Sequence, residues 1–132
     1  MNKDITLFIP TKNRTKFLKR VIEYYNKINF EGTLAIGDSS TGEDLENNKK
    51  LFELNKNSIN ITYNTYPDKN LCQTSHELLK GVTTNFVAEV HDDNFVIPDS
   101  IDKCIEFLHN NPDYSAARGL GISVKTTNDE PH

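Results

Sequence analysis

The sequence predicts an α/β fold of three layers, a mostly parallel sheet with helices on both faces. Three observations lead there. Apolar, β-rich runs alternate four times with stretches of helical periodicity, and such alternation gives a parallel sheet with right-handed crossovers. Three of these runs end in hydroxyl or carboxylate residues, namely Thr11, Asp38 and the pair Asp92-Asp93. In a parallel sheet those ends share one edge, the edge at which open α/β sheets bind ligands. Finally, 132 residues with 36% hydrophobic content suit one domain with a packed core.

The elements follow in order. Residues 5–9, Ile-Thr-Leu-Phe-Ile, read as the first strand, which Pro10 is expected to end because it lacks a ladder donor. A polar loop, Thr11-Lys12-Asn13-Arg14, leads into a helix. Its buried stripe is Phe17, Leu18, Val21, Ile22, Tyr25 and Ile28, with Asn13 or Thr15 as cap. A helix N-terminus after such a loop favours an anion. Residues 32–37 form the second strand, followed by the acidic, hydroxyl-rich loop Asp38-Ser39-Ser40-Thr41-Gly42. Residues 43–55 are a charged helix anchored by Leu45, Leu51, Phe52 and Leu54. Residues 59–63 alternate as a third strand, extending toward Tyr66, and residues 67–70 are a loop. Leu71, Ser75, Leu78, Leu79 and Val82 give a third helix that stops near Gly81.

The fourth strand holds Phe86, Val87, Ala88 and Val90, and runs into Asp92-Asp93. Pro98-Asp99-Ser100 opens a fourth helix, with Ile101, Cys104, Ile105 and Leu108 at i, i+3, i+4 and i+7. Residues 116–124 hold a last strand broken by Gly119 and Gly121. The domain is expected to span residues 1–124, with 125–132 a polar tail.

Charge and motifs narrow the function. A net charge of −4 and a pI near 5.5 argue against nucleic-acid binding, which needs a basic face. No apolar run approaches the roughly 20 residues of a membrane-spanning helix. The N-terminal residues carry no signal-peptide core, so a cytoplasmic protein is expected. Cys72 and Cys104 fall on different helices and read as reduced core thiols. His76, His91, His109 and His132 show no zinc-ligand spacing with them. Neither a dinucleotide fingerprint, nor a P-loop, nor a nucleophile elbow is present. Asp92 and Asp93 repel each other unless a cation or hydrogen-bond donors compensate. A hard divalent ion, Mg²⁺ or Mn²⁺, has the matching chemistry, and a solvated acidic turn is the alternative.

Three motifs together resemble a family 2 glycosyltransferase of the GT-A fold. They are Ile9-Pro10-Thr11-Lys12-Asn13-Arg14, then Ile36-Gly37-Asp38-Ser39-Ser40, and then Val90-His91-Asp92-Asp93-Asn94 running on to Pro98-Asp99-Ser100-Ile101. The third is similar to the family's Asp-x-Asp region, with His91 at the place of a first Asp and Asn94 where a further Asp often stands. The likeness extends from about Ile5 to about Gly121. It implies the nucleotide-sugar-binding, Rossmann-like half of the GT-A fold, truncated relative to the full family fold. It also implies a nucleotide-sugar donor, commonly a UDP-sugar, with Mn²⁺ or Mg²⁺ on its diphosphate.

Carried over, the resemblance places Pro10, Thr11, Asn13 and Arg14 at the donor, with Lys12 beside them. Asp38 would accept a hydrogen bond from the base, Asp92 would lie by the ribose, and Asp93 would be the metal ligand. The helix after Asn70 has no Arg or Lys to face the diphosphate; Ser75 and His76 are nearest. The family's catalytic base and acceptor half come later in the chain than the Asp-x-Asp region. Asp129-Glu130, in the tail, is not a setting for such a base, so the acceptor stays open. A truncated sheet would leave an edge or apolar face for a second copy or another chain. Two other readings stand beside transfer: a nucleotide-binding or docking module without catalysis, and an unrelated flavodoxin- or receiver-type domain. A receiver would want paired acids after its first strand, where this chain has Pro10-Thr11.

Overall fold

The computed structural model describes residues 3–124. The expected polar tail, with Asp129, Glu130 and His132, lies outside the described residues. Eight elements alternate as expected: β1 (Ile5–Thr11), α1 (Thr15–Lys27), β2 (Thr33–Asp38), α2 (Gly42–Asn55), β3 (Ile61–Thr65), α3 (Leu71–Lys80), β4 (Phe86–Glu89) and α4 (Pro98–Asn110). All four strands are parallel, in the order β3-β2-β1-β4.

Strand order explains the layers. The chain moves outward from β1 through β2 to β3, then α3 returns it to the far side of β1. A right-handed crossover must change faces when the direction reverses, and it does. Ile5, Leu7 and Ile9 of β1 and Leu34 and Ile36 of β2 point into the main core with Leu18, Val21, Ile22 and Tyr25 of α1. Ile101 and Ile105 of α4 join this same core. On the opposite face, Phe8 and Ala35 pack with Leu78 of α3. Gly37 lets α3 settle there, because a Cβ at that position would lie 2.6 Å from Thr74 Cγ2 and 2.8 Å from Leu78 Cδ1.

Several expectations need correction. Pro10 does not end β1; the strand runs on to Thr11, with Pro10 opposite Gly37. The amides of Phe86 and Val90 bond the carbonyls of Asp4 and Phe8, so even-numbered β1 residues face β4. Pro10 therefore turns its donorless nitrogen toward the β4 side, just where β4 has ended, and no ladder bond is lost. The third strand starts at Ile61, two residues later than expected, and ends at Thr65.

Neither Asn13 nor Thr15 caps α1; Arg14 holds the cap position without a side-chain bond. Asp44 of α2 reaches across instead, accepting from the Thr15 hydroxyl at 2.6 Å. The 67–70 loop contains an unforeseen capping box, in which Asn70 and Gln73 each accept from the other's backbone amide at 3.0 Å.

The expected last strand over residues 116–124 does not form. Gly119 and Gly121 meet nothing within 4 Å, and Leu120, Ile122 and Val124 project into solvent. Their alternation finds no apolar surface to cover. Cys72 is exposed rather than a core thiol, while Cys104 is partly buried, and both are free. None of the described helices is long and apolar enough to cross a membrane.

Candidate functional site

The strand order reverses between β1 and β4, and at their carboxyl ends the predicted residues meet. Thr11, the last residue of β1, donates its hydroxyl to Asp92 Oδ2 at 2.7 Å. Arg14 reaches from the start of α1 and forks across both carboxylates: Nη1 lies 2.9 Å from Asp92 Oδ1 and Nη2 lies 3.0 Å from Asp93 Oδ2. The Arg14 guanidinium also lies over the Phe17 ring, 4.2 Å from its centroid. These contacts answer the repulsion between neighbouring acids: a guanidinium and a hydroxyl compensate the pair. Asp92 is only 3% exposed, whereas Asp93 is 43% exposed. Burial pushes the Asp92 carboxyl above its ordinary value of 3.8, against the opposing pull of Thr11 and Arg14.

The loop carrying this pair is fastened to α1. Tyr24 donates its hydroxyl to the Val96 carbonyl at 3.1 Å, and its ring meets Phe95 edge-on. Tyr25 accepts from the Val96 amide at 3.4 Å.

Asp38 lies at the end of β2, on the predicted edge, with 0% of its surface exposed. Its Oδ1 accepts from the Ser40 amide at 2.8 Å, and its Oδ2 accepts from Asn48 Nδ2 at 2.9 Å and from the Tyr63 hydroxyl. Burial, and then the bond to Asp38, push the Tyr63 phenol above its ordinary 10.0. Ser40 Oγ in turn accepts from the Asn13 amide at 2.7 Å, and Asn13 Oδ1 accepts from the Thr41 amide at 3.0 Å. Asn13 has φ 53°, a left-handed conformation that asparagine tolerates better than most residues. The β1–α1 and β2–α2 loops are thus buttoned together by Asn13 and Ser40.

The structure therefore gathers Thr11, Arg14, Asp92 and Asp93 into one cluster and puts Asn13 and Asp38 in an adjoining one. Pro10 precedes Thr11 in β1, opposite Gly37. Asn48 and Tyr63 escaped the sequence reading. Asn48 had a signal: it stands at the inward position i+3 from Leu45, where an apolar residue is expected, and it is fully buried. Among the described residues its Oδ1 has no hydrogen-bond partner. His76 and His91 line a shallow cavity of about 380 Å³ between α3 and β4, together with Cys72, Ser75 and Glu89. Among the described residues, no three His, Cys, Asp or Glu side chains are grouped to hold a metal on their own.

Residues 6–132 match the model of the family described as "Glycosyl transferase family 2". Among solved structures, the chain is similar to S. aureus TarS 1-349, at 19% identity and TM-score 0.67, covering 83% of this chain and 33% of that one. It is also similar to the mannosyltransferase PcManGT of Pyrobaculum calidifontis, solved in complex with GDP-Man and Mn²⁺, at 15% identity and TM-score 0.66. That match covers 82% of this chain and 33% of the other. Nothing matches among curated proteins. The chain thus spans about a third of the structures it resembles.

Proposed function

This chain belongs to glycosyl transferase family 2, and from that membership we propose that its carboxyl edge seats a nucleotide-diphosphate sugar, a UDP-sugar, for sugar transfer. The observation that carries the reading is the cluster of Thr11, Arg14, Asp92 and Asp93 at the strand-order reversal between β1 and β4. Pro10 and Thr11 border the nucleoside, and Asp92 is held beside the ribose by Thr11 and Arg14. Arg14, 40% exposed, is the cation within reach of a diphosphate, and its planar fork suits phosphate oxygens as well as carboxylates.

Family membership implies a divalent ion, and the donor set fits one of a particular kind. A lone accessible carboxylate, Asp93, does not make a protein-only site. Mg²⁺ typically takes one or two carboxylates and completes its shell with phosphate oxygens and water. Asp93 would hold Mn²⁺ or Mg²⁺ only together with the donor's diphosphate, and the ion would then offset the negative charge of the departing diphosphate. Among the described residues Arg14 engages Asp93 through Oδ2 alone, which leaves Oδ1 for such an ion. The GDP-Man and Mn²⁺ of the Pyrobaculum calidifontis structure support the same class of ligand here.

A second reading, a nucleotide-binding module without transfer, draws on the same one-third span. Under either reading, the outer edge of β4 and the exposed Leu120, Ile122 and Val124 are the surface that a second copy or another chain would cover.

The test is calorimetry of UDP binding, with GDP as comparison, in Mn²⁺ and in EDTA, on the native chain and on Asp93→Ala. Binding that needs the metal and is lost in the variant is expected. No nucleotide binding under any condition would overturn both readings. Turnover of a UDP-sugar by the native chain separates the first from the second.

A further inference from the structure

We infer that Tyr24 and Tyr25 are positioning residues for the acid pair, holding Asp93 where it can share a divalent ion with the donor's diphosphate. The inference rests on the nucleotide-sugar reading and names something that reading needs. A site with one accessible carboxylate has no further protein ligand to correct a misplaced one, so the carboxylate has to be in place before the ion arrives.

The loop between β4 and α4 carries the inference. Residues 91–96 run from the last ladder bond of β4 to the cap of α4. Three fastenings hold this stretch. At its start, the Val90 amide bonds the Phe8 carbonyl at 3.0 Å. In its middle, the Asn94 amide bonds the His91 carbonyl at 3.1 Å, which closes a turn with Asp92 and Asp93 at its central positions. At its end stands Val96, whose backbone is gripped on both sides by one helix. Tyr24 donates to the Val96 carbonyl at 3.1 Å, and the Val96 amide donates to the Tyr25 hydroxyl at 3.4 Å.

Packing alone does not require such a clasp. Tyr25 is fully buried in the main core, where a phenylalanine ring would fill nearly the same space. What its hydroxyl adds is a bond to the loop, and burial, which pushes the phenol up to about 12, keeps that hydroxyl neutral. Tyr24 adds a ring contact, edge-on to Phe95 with centroids 4.9 Å apart. The same helix has Arg14 at its N-terminal cap, from which the guanidinium reaches both acids. Helix α1 therefore sets the acid turn and its counter-charge as one unit.

Tyr24→Phe and Tyr25→Phe each remove one hydroxyl and keep the ring. Without the clasp the turn has to be ordered when the ligand binds, and affinity falls with the fraction of chains already ordered. Mn²⁺ paramagnetic resonance in the presence of UDP should show each variant binding the ion about fivefold to tenfold more weakly than the native chain, the worth of one hydrogen bond. The spectrum of the bound ion should broaden as well. Ile105→Val trims the same core without removing a bond to the loop, and it should leave both readouts unchanged. If the tyrosines served stability alone, all three variants would behave alike.

The ligand-free chain gives an independent readout. Amide hydrogen exchange at Asn94, which closes the acid turn, should quicken in both tyrosine variants and not in Ile105→Val. Unchanged exchange at Asn94 in both, or native Mn²⁺ affinity in both, overturns the inference and leaves the donor reading standing. If the native chain binds no UDP with Mn²⁺, the donor reading falls, and the metal role of the clasp falls with it.

Discussion

Thr11 and Asp92 are 81 positions apart in the chain, yet the Thr11 hydroxyl donates to the Asp92 carboxylate over 2.7 Å in a buried setting. That bond joins the end of β1 to the loop after β4 at the place where the strand order turns back. Thr11→Val keeps the shape and removes the donor, leaving a buried carboxylate one partner short. A loss of about 1–3 kcal/mol in unfolding free energy is expected, measured by urea denaturation. Donor binding should weaken with it. Unchanged stability would mean that Arg14 alone satisfies Asp92.

The raised pKa of Asp92 fixes the sign of a pH effect. Its folded value lies above the unfolded value because burial penalises the charge. The folded state therefore holds the proton more tightly, and Asp92 supports folding below its ordinary value of 3.8. That support fades as pH rises through the folded pKa. Asp92→Asn, which cannot titrate, removes the effect. The stability of the native chain minus that of the variant should be larger at acid pH than at neutral pH, in urea titrations run across the range. A difference that grows toward neutral pH would contradict the assignment of burial as the dominant cause.

Arg14 neutralises part of the charge that would attract a metal ion to Asp92 and Asp93. Removing it leaves Asp92 and Asp93 as neighbours without their guanidinium. Arg14→Ala should therefore bind Mn²⁺ more tightly than the native chain when no nucleotide is present, by about tenfold. With nucleotide present it should bind the donor more weakly. Mn²⁺ paramagnetic resonance measures the first effect and calorimetry the second. Equal Mn²⁺ affinity in both proteins would show that Arg14 does not guard the pair.

Gly37 tests the packing beneath the edge. An alanine Cβ there would press on Thr74 and Leu78 at 2.6 and 2.8 Å. Helix α3 must then lift from β2, at a cost of about 1–3 kcal/mol. Thr74 bonds Ser39 at 2.7 Å, so the Asp38 turn moves too. Thermal unfolding of Gly37→Ala should show the drop, and hydrogen exchange should place it in α3.

The periodicities of the sequence located every strand and helix of the described fold but not their order. Alternation depends on local residue spacing, which a single chain displays. That β4 lies beside β1, and so that Thr11 meets Asp92, depends on long-range packing. The acid pair showed its need for a compensating charge; which group supplies it depended on Arg14 reaching 79 positions ahead. Tyr63 was silent because a tyrosine on an alternating strand reads as surface, whereas Asn48 signalled itself only by its inward position on α2. The misjudged strand over residues 116–124 has the opposite cause. Leu120, Ile122 and Val124 alternate correctly, but a strand needs a neighbour, and alternation does not provide one.

Pro10 also decides how far the sheet can zip. Had residue 10 carried an amide hydrogen, it would have faced the Val90 carbonyl as the next rung, and Asp92 would have been drawn into the rung after that. An Asp92 committed to a β-ladder would extend its backbone along β1 and carry its side chain away from Thr11 and Arg14. The proline makes that pairing unprofitable at its first step. With that donor missing, the ladder stops at the bond from the Val90 amide to the Phe8 carbonyl, and Asp92 is left to Thr11 and Arg14.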